Sequence, residues 1–241
     1  MRNLSPIIIM LACSLAACVQ PAEAPATETA ASTELDLSAE AKGKAIAATY
    51  LVRPGMSVPG DADLSRDDTP RDPDGRPYTH KNLSERLPAF AGETADGGAF
   101  TSAELEGKWT VIEIWGLWCH DSMNDAPYAA ALSTALAQDP AVSFMSIHTP
   151  QKAERADDAY ASYGSVAAYF DDKGYSFTTV VDTDASIREA LNIRWTPTYL
   201  LVAPDLSVQA FRTGLSDAEG EPVKDFVRQV SQIRGTWQTS D

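Results

Sequence analysis

The chain is short of sulfur, of positive charge and of long apolar stretches, and each shortage closes off a class of function. Its 241 residues include three cysteines, Cys13, Cys18 and Cys119, no two of them in a Cys-x-x-Cys pair. Basic residues number 19 against 34 acidic, a formal charge of −15. Such a surface repels phosphate backbones and anionic lipid heads, so nucleic acid is not expected as a partner. Histidine is sparse as well: His80 and His148 stand far apart with no ligand spacing around them, and no metal site is read. Asp61, Asp63, Ser65 and Asp67 have the rhythm of a calcium loop, but Arg66 holds the place that needs glycine for the sharp turn. No cofactor is expected.

The one pronounced apolar run, Leu4 to Leu11, follows Met1-Arg2-Asn3 and leads to Leu15-Ala16-Ala17-Cys18. A positive start, a short apolar core and small residues before a break describe a cleaved secretory signal over residues 1–17. The run is too short to span a membrane, which takes roughly 20 apolar residues. Leu15-Ala16-Ala17-Cys18 also resembles the bacterial lipobox. That resemblance implies diacylation of Cys18 with cleavage just before it, and Val19 in place of aspartate implies outer-membrane sorting; a plain signal cleaved at an Ala-x-Ala-like site is the alternative. With Cys13 lost and Cys18 alkylated, Cys119 is the one free thiol, and a disulfide within the mature chain is excluded. In an oxidising compartment such a cysteine either reacts for a purpose or is sealed in a core.

Residues 18–34 are Ala, Thr, Pro, Glu and Ser after the lipidated cysteine, with almost nothing to bury, which predicts a disordered tether. Residues 35–86 read as an extension: a helix over 36–50, then an irregular stretch from Arg53 to Arg86 crowded with prolines and packed loosely on the main domain. The main domain, residues 87–241, alternates strand and helix signals. Strands are expected over 109–117, 142–147 and 177–181, helices over 120–137, 152–170 and 184–191. Asp184 is placed to cap the last of these and Asn192 to end it. A hairpin over 199–203 and 207–212 follows, then a helix with Val223, Phe226, Val227, Val230 and Ile233 on one face. The pattern predicts a mixed α/β sheet, parallel first and antiparallel later.

The chemistry concentrates at Val111-Ile-Glu113-Ile-Trp-Gly-Leu-Trp118-Cys119-His120-Asp-Ser122-Met-Asn-Asp-Ala-Pro127. A cysteine where a strand turns into a helix lies under the unpaired N–H groups of the first turn, which favour the thiolate and lower the thiol pKa from about 8.5. An inert core cysteine is the alternative. Glu113 is an acid inside a buried strand, where desolvation raises its pKa and suits it to shuttle a proton to the sulfur; otherwise it bends out to solvent. Trp118 offers an apolar shoulder to the sulfur and a surface to a substrate. His120, when protonated, would steady the thiolate, or it simply faces solvent.

This segment resembles the thioredoxin active site. With Leu87-Pro-Ala-Phe90, Gly107-Lys108 and an extra helix after the second strand, residues 87–235 most resemble the envelope-facing TlpA/ResA-like branch. The resemblance implies a thioredoxin-like fold with a βα-type insertion and an irregular N-terminal extension. It also implies a cis bond before Pro197, in Trp195-Thr196-Pro197, with Thr196 holding its backbone open to a substrate peptide. The sequence departs from the family at Ser122, where a second cysteine should stand. A hydroxyl can hydrogen-bond a thiolate but cannot resolve a mixed disulfide, so a self-contained dithiol enzyme is excluded. The favoured reading is monothiol exchange, isomerisation or deglutathionylation through Cys119, acting on envelope protein thiols and disulfides or a small thiol. A one-cysteine peroxidase, which the missing Pro-x-x-x-Thr-x-x-Cys pattern disfavours, and a non-catalytic adaptor or chaperone using the groove beside Pro197 are the alternatives.

Overall fold

A computed structural model describes residues 46–237. The signal peptide, Cys18, the tether through residue 34 and most of the helix expected over 36–50 lie outside the described residues. Seven strands form one sheet in the order β2-β1-β5-β4-β3-β6-β7: β1 Ala91–Thr94, β2 Ala99–Thr101, β3 Trp109–Trp115, β4 Val142–His148, β5 Thr179–Val181, β6 Thr198–Val202 and β7 Val208–Arg212. The β3, β4 and β5 strands run parallel, while β6 and β7 and the β1–β2 hairpin are antiparallel. Four α-helices flank the sheet: α1 His120–Leu136, α2 Val166–Lys173, α3 Ser186–Ala190 and α4 Pro222–Thr236. This is the mixed α/β sheet that the strand and helix pattern implied, in the thioredoxin-like arrangement that the resemblance implied.

All seven residues of β3 are buried, as expected of a central strand covered on both faces. Its alternation sorts the core. Ile112 and Ile114 pack with Ile147, Leu200, Val202 and Phe211 on one face. Val111 packs with Leu132, Tyr199, Leu201, Phe226 and Val230 beneath α1 and α4 on the other. Glu113 shares the parity of Val111 and so lies under α1.

Three expectations are corrected. The helix expected over 152–170 is a 3₁₀ stretch at Ala153–Asp158, an irregular turn, and then α2. Ala161 and Gly164 adopt left-handed backbone in between, which no continuous helix tolerates, and the Ser165 hydroxyl caps α2 by accepting from the Ala168 amide. Asp184 does accept from the Ser186 amide, but the N-cap position of α3 falls to Ala185 in the left-handed region. The stretch from 53 to 86 is irregular yet not loose. Arg71, Asp72, Tyr78 and His80 in it are buried. The Ser84 amide donates to the Val208 carbonyl and the Leu87 amide to the Leu206 carbonyl, while Val52 pairs with Phe211 in both directions. The extension thus closes the outer edge of β7, which would otherwise present unpaired backbone groups.

Candidate active site

Cys119 is the N-cap residue of α1, in extended backbone, and its amide donates to the Gly116 carbonyl at 3.0 Å. The β3–α1 turn that delivers it is held from β4. The Leu117 amide donates to His148 Nε2 at 3.2 Å, and the Trp118 indole donates to the Thr149 carbonyl at 2.7 Å. His148 is fully buried between Trp115 and Tyr160, and burial pulls its pKa down to about 4, so the neutral ring is free to accept that amide. A β-carbon at Gly116 would stand 2.8 Å from the Thr149 carbonyl oxygen and collide with the Trp118 indole, so glycine is required there.

The sulfur is half-buried and donates to the Thr196 carbonyl at 3.3 Å. The Thr196–Pro197 bond is cis, as the family resemblance implied, and both residues are buried. Ser122 is fully buried and its hydroxyl accepts from the Gly116 amide at 3.3 Å, so it braces the turn. His120 is exposed, beside Asn124 at 3.1 Å and Asp121 at 3.9 Å. Cys119 and Thr196 are therefore in direct contact, the Trp118 indole is turned to the end of β4, and His120 faces outward.

Beneath the site lies a buried polar cluster that sequence reading found only in part. Glu113 is 2% exposed, and its pKa is raised well above the usual carboxylate range, first by burial and then by the charge of Asp125. Asp125, on α1 and fully buried, accepts from the Leu215 and Ser216 amides at 2.6 Å each and from the Tyr199 hydroxyl at 2.5 Å. The Tyr199 oxygen also lies 3.3 Å from Glu113 Oε1. The phenol has one proton, and the shorter contact assigns it to Asp125, with Tyr199 standing between the two acids. Arg212, buried on β7, adds positive charge near Asp125. Asp125 and Tyr199 carried no signal in the linear sequence beyond an acid inside an otherwise apolar helix face. Among the described residues no cluster of ligating side chains is arranged for a metal ion, and none is long and apolar enough to cross a membrane as a helix.

Comparison with known proteins places this geometry in context. Residues 83–211 match the AhpC/TSA family. The soluble secreted antigen MPT53 of Mycobacterium tuberculosis is 32% identical over 121 residues, 50% of this chain and 62% of that protein. Thiol-disulfide oxidoreductase ResA of Bacillus subtilis is 24% identical over 127 residues, 53% of this chain and 65% of that protein. The chain thus spans less than two thirds of the length of these relatives. Among solved structures, a secreted disulfide oxidoreductase of Mycobacterium tuberculosis aligns with 61% of this chain and 97% of its own at 25% identity and a TM-score of 0.44. The matched segment contains β3, the Cys119 turn, Glu113 and the Thr196–Pro197 bond, and it covers more than half of the sequence. The chain is a thioredoxin-like member of the AhpC/TSA family.

Proposed function

We propose that this protein is a thiol–disulfide oxidoreductase of the cell envelope that works through one sulfur, Cys119, with residues 87–241 as its catalytic domain, residues 35–86 as an extension, and a lipid on Cys18 with residues 18–34 as its tether. The observation that carries the reading is the half-buried Cys119 sulfur at the mouth of α1, bonded to the carbonyl that precedes a cis-proline. The relatives' names support the same chemistry and an extracytoplasmic setting.

Exchange begins when the Cys119 thiolate attacks a disulfide sulfur, forming a mixed disulfide and expelling the partner sulfur as a thiolate. The first-turn amides of α1 offer positive potential to the charge on the attacking and departing sulfurs. Glu113, held protonated by burial and by Asp125, supplies or takes back the proton, with Tyr199 fixing its orientation. Ser122 braces the turn and cannot attack, so a second thiol, from the substrate or from a small molecule, releases the enzyme. Trp118, His120, Thr196 and Pro197 bound the space in which the substrate sulfur is presented.

Mixed disulfides trapped by rapid acid quench in the native envelope and resolved under non-reducing conditions test this reading. Cys119→Ser should abolish every adduct, and an adduct that survives the substitution overturns the reading. The family match supports one-cysteine peroxidase chemistry as a second reading; dimedone labelling of Cys119 at micromolar peroxide, outpacing disulfide exchange, would favour it.

A further inference from the structure

We propose that Arg76, which the extension delivers, is a positioning residue of the active site: seated on the cis-proline loop, it offsets the negative charge that Asp121 places beside Cys119. The inference rests on the exchange reading above and gives the extension a part in it.

The seat is built into the extension. Asp72 is 1% exposed, and its Oδ1 accepts from the Asp74 amide at 3.0 Å and from the Arg76 amide at 2.8 Å. The Asp72 amide donates to the Arg76 carbonyl and the Gly75 amide to the Asp72 carbonyl, each at 2.9 Å, which closes a tight turn over residues 72–76. Gly75 takes the left-handed backbone that this turn needs, with φ 88°. Arg71, also buried, donates from Nη1 to the Gly75 carbonyl at 3.0 Å and to the Arg194 carbonyl at 3.4 Å. The turn is thereby fastened to the residue that precedes Trp195.

From this turn Arg76 reaches three segments of the site. Its guanidinium lies 4.8 Å from the centre of the Trp195 ring, one residue before Thr196, whose carbonyl holds the Cys119 sulfur. It donates to the Thr213 carbonyl at 3.0 Å and pairs with Asp217, both in the loop after β7. Its Nη2 stands 4.0 Å from Asp121 Oδ2 in the first turn of α1. The bond from the Met123 amide to the Cys119 carbonyl, at 3.0 Å, encloses Asp121 in the same turn that Cys119 opens. A carboxylate in that turn opposes a thiolate at its mouth, and a cation beside the carboxylate relieves the opposition. His120 Nδ1 is 3.9 Å from Asp121, but its side chain is 86% exposed and water screens it. The Arg76 side chain is 13% exposed and is screened far less, so Arg76 is the effective counter-charge.

The test follows Cys119 adduct formation with hydroxyethyl disulfide, a neutral probe, at pH 7 by intact-protein mass spectrometry on the full chain. The Cys119 thiolate attacks one probe sulfur, the mixed disulfide forms, and mercaptoethanol leaves as its thiolate. Arg76→Met should slow the reaction about threefold, the size of a partly exposed charge pair. Arg76→Lys should keep most of the wild-type rate, and Asp121→Asn added to Arg76→Met should restore most of it. Asp121→Asn alone should react up to about threefold faster than the wild type, because the cation then acts unopposed. A wild-type rate in Arg76→Met, or a loss that Arg76→Lys shares and Asp121→Asn does not repair, overturns the assignment and leaves the exchange reading standing. No adduct in the wild type, while iodoacetamide still alkylates Cys119, overturns the exchange reading and this inference with it. If Arg76→Met does not fold, as judged by circular dichroism, Asp121→Asn decides: a rate above the wild type supports the assignment, and one at or below it overturns it.

Discussion

At Glu113, burial and the nearby Asp125 charge act together to keep a carboxyl group neutral, while two backbone amides and a phenol keep Asp125 supplied with donors. Two acids thus meet in one cluster in unlike settings, Glu113 in apolar burial and Asp125 amid three donors. The difference has a thermodynamic signature. Because the folded-state pKa of Glu113 is raised above its ordinary value, the folded protein holds a proton that the unfolded chain releases, so stability is lost as pH rises above about 4.5 toward the raised value. Glu113→Gln, which copies the neutral acid in shape and hydrogen-bonding capacity, should match the wild type in urea midpoint near pH 4 and exceed it increasingly at higher pH. On the proposed mechanism the same variant should exchange thiols more slowly, because an amide cannot supply the proton. A urea midpoint that tracks the wild type at every pH would show that folding leaves the titration of Glu113 unshifted.

The element that matters most is the turn from β3 into α1. It depends on one glycine, one buried imidazole and one indole-to-carbonyl bond, all anchored at the end of β4. Overpacking at such a point costs about 1–3 kcal/mol. Gly116→Ala should therefore lower the unfolding free energy by about 2 kcal/mol and, by turning Trp118 off Thr149, slow Cys119 adduct formation more than that loss of stability explains. Tryptophan fluorescence together with adduct kinetics separates the two effects. Wild-type behaviour in both would show that the turn has slack the geometry does not suggest. The extension acts at the same scale, closing the β7 edge with backbone pairs and delivering Arg76 to the cis-proline loop.

Across the whole molecule, two neutral histidines are locked in place, His80 within the extension and His148 under the active-site turn, each with its pKa pulled down to about 4 by burial. For a base with a depressed folded-state pKa, the unfolded chain takes up the proton first, so stability present above pH 6.5 drains away as pH falls toward 4. Each site is worth about 3 kcal/mol over that window. The urea midpoint should fall steeply below pH 6, and His80→Gln should flatten that slope relative to its own value at pH 7.5. An acid limb unaffected by the substitution would remove His80 from the account. Glu113 works in the opposite direction from about pH 4.5 upward, so across the overlap up to 6.5 it offsets part of the loss from the two histidines.

Legible along the chain alone were the alternation of elements, the central burial of β3, the seat of Cys119 at a helix entrance, the absence of a resolving sulfur and the acid at Glu113. These follow from local rules: apolar period, β-branched content, a helix start after a buried strand, and the count of cysteines. The β1–β2 hairpin went unread because its strands, four and three residues long, are too short and too exposed to show a period. The break between residues 158 and 166 went unread because helical composition there is overruled by two left-handed residues. The Asp125–Tyr199 contact, the clamp from His148 and Thr149 and the stacking of Arg76 on Trp195 join residues from 31 to 119 positions apart. No local pattern encodes such meetings. They exist because sheet order and register bring distant side chains to the same end of β3, a placement that only the tertiary structure decides.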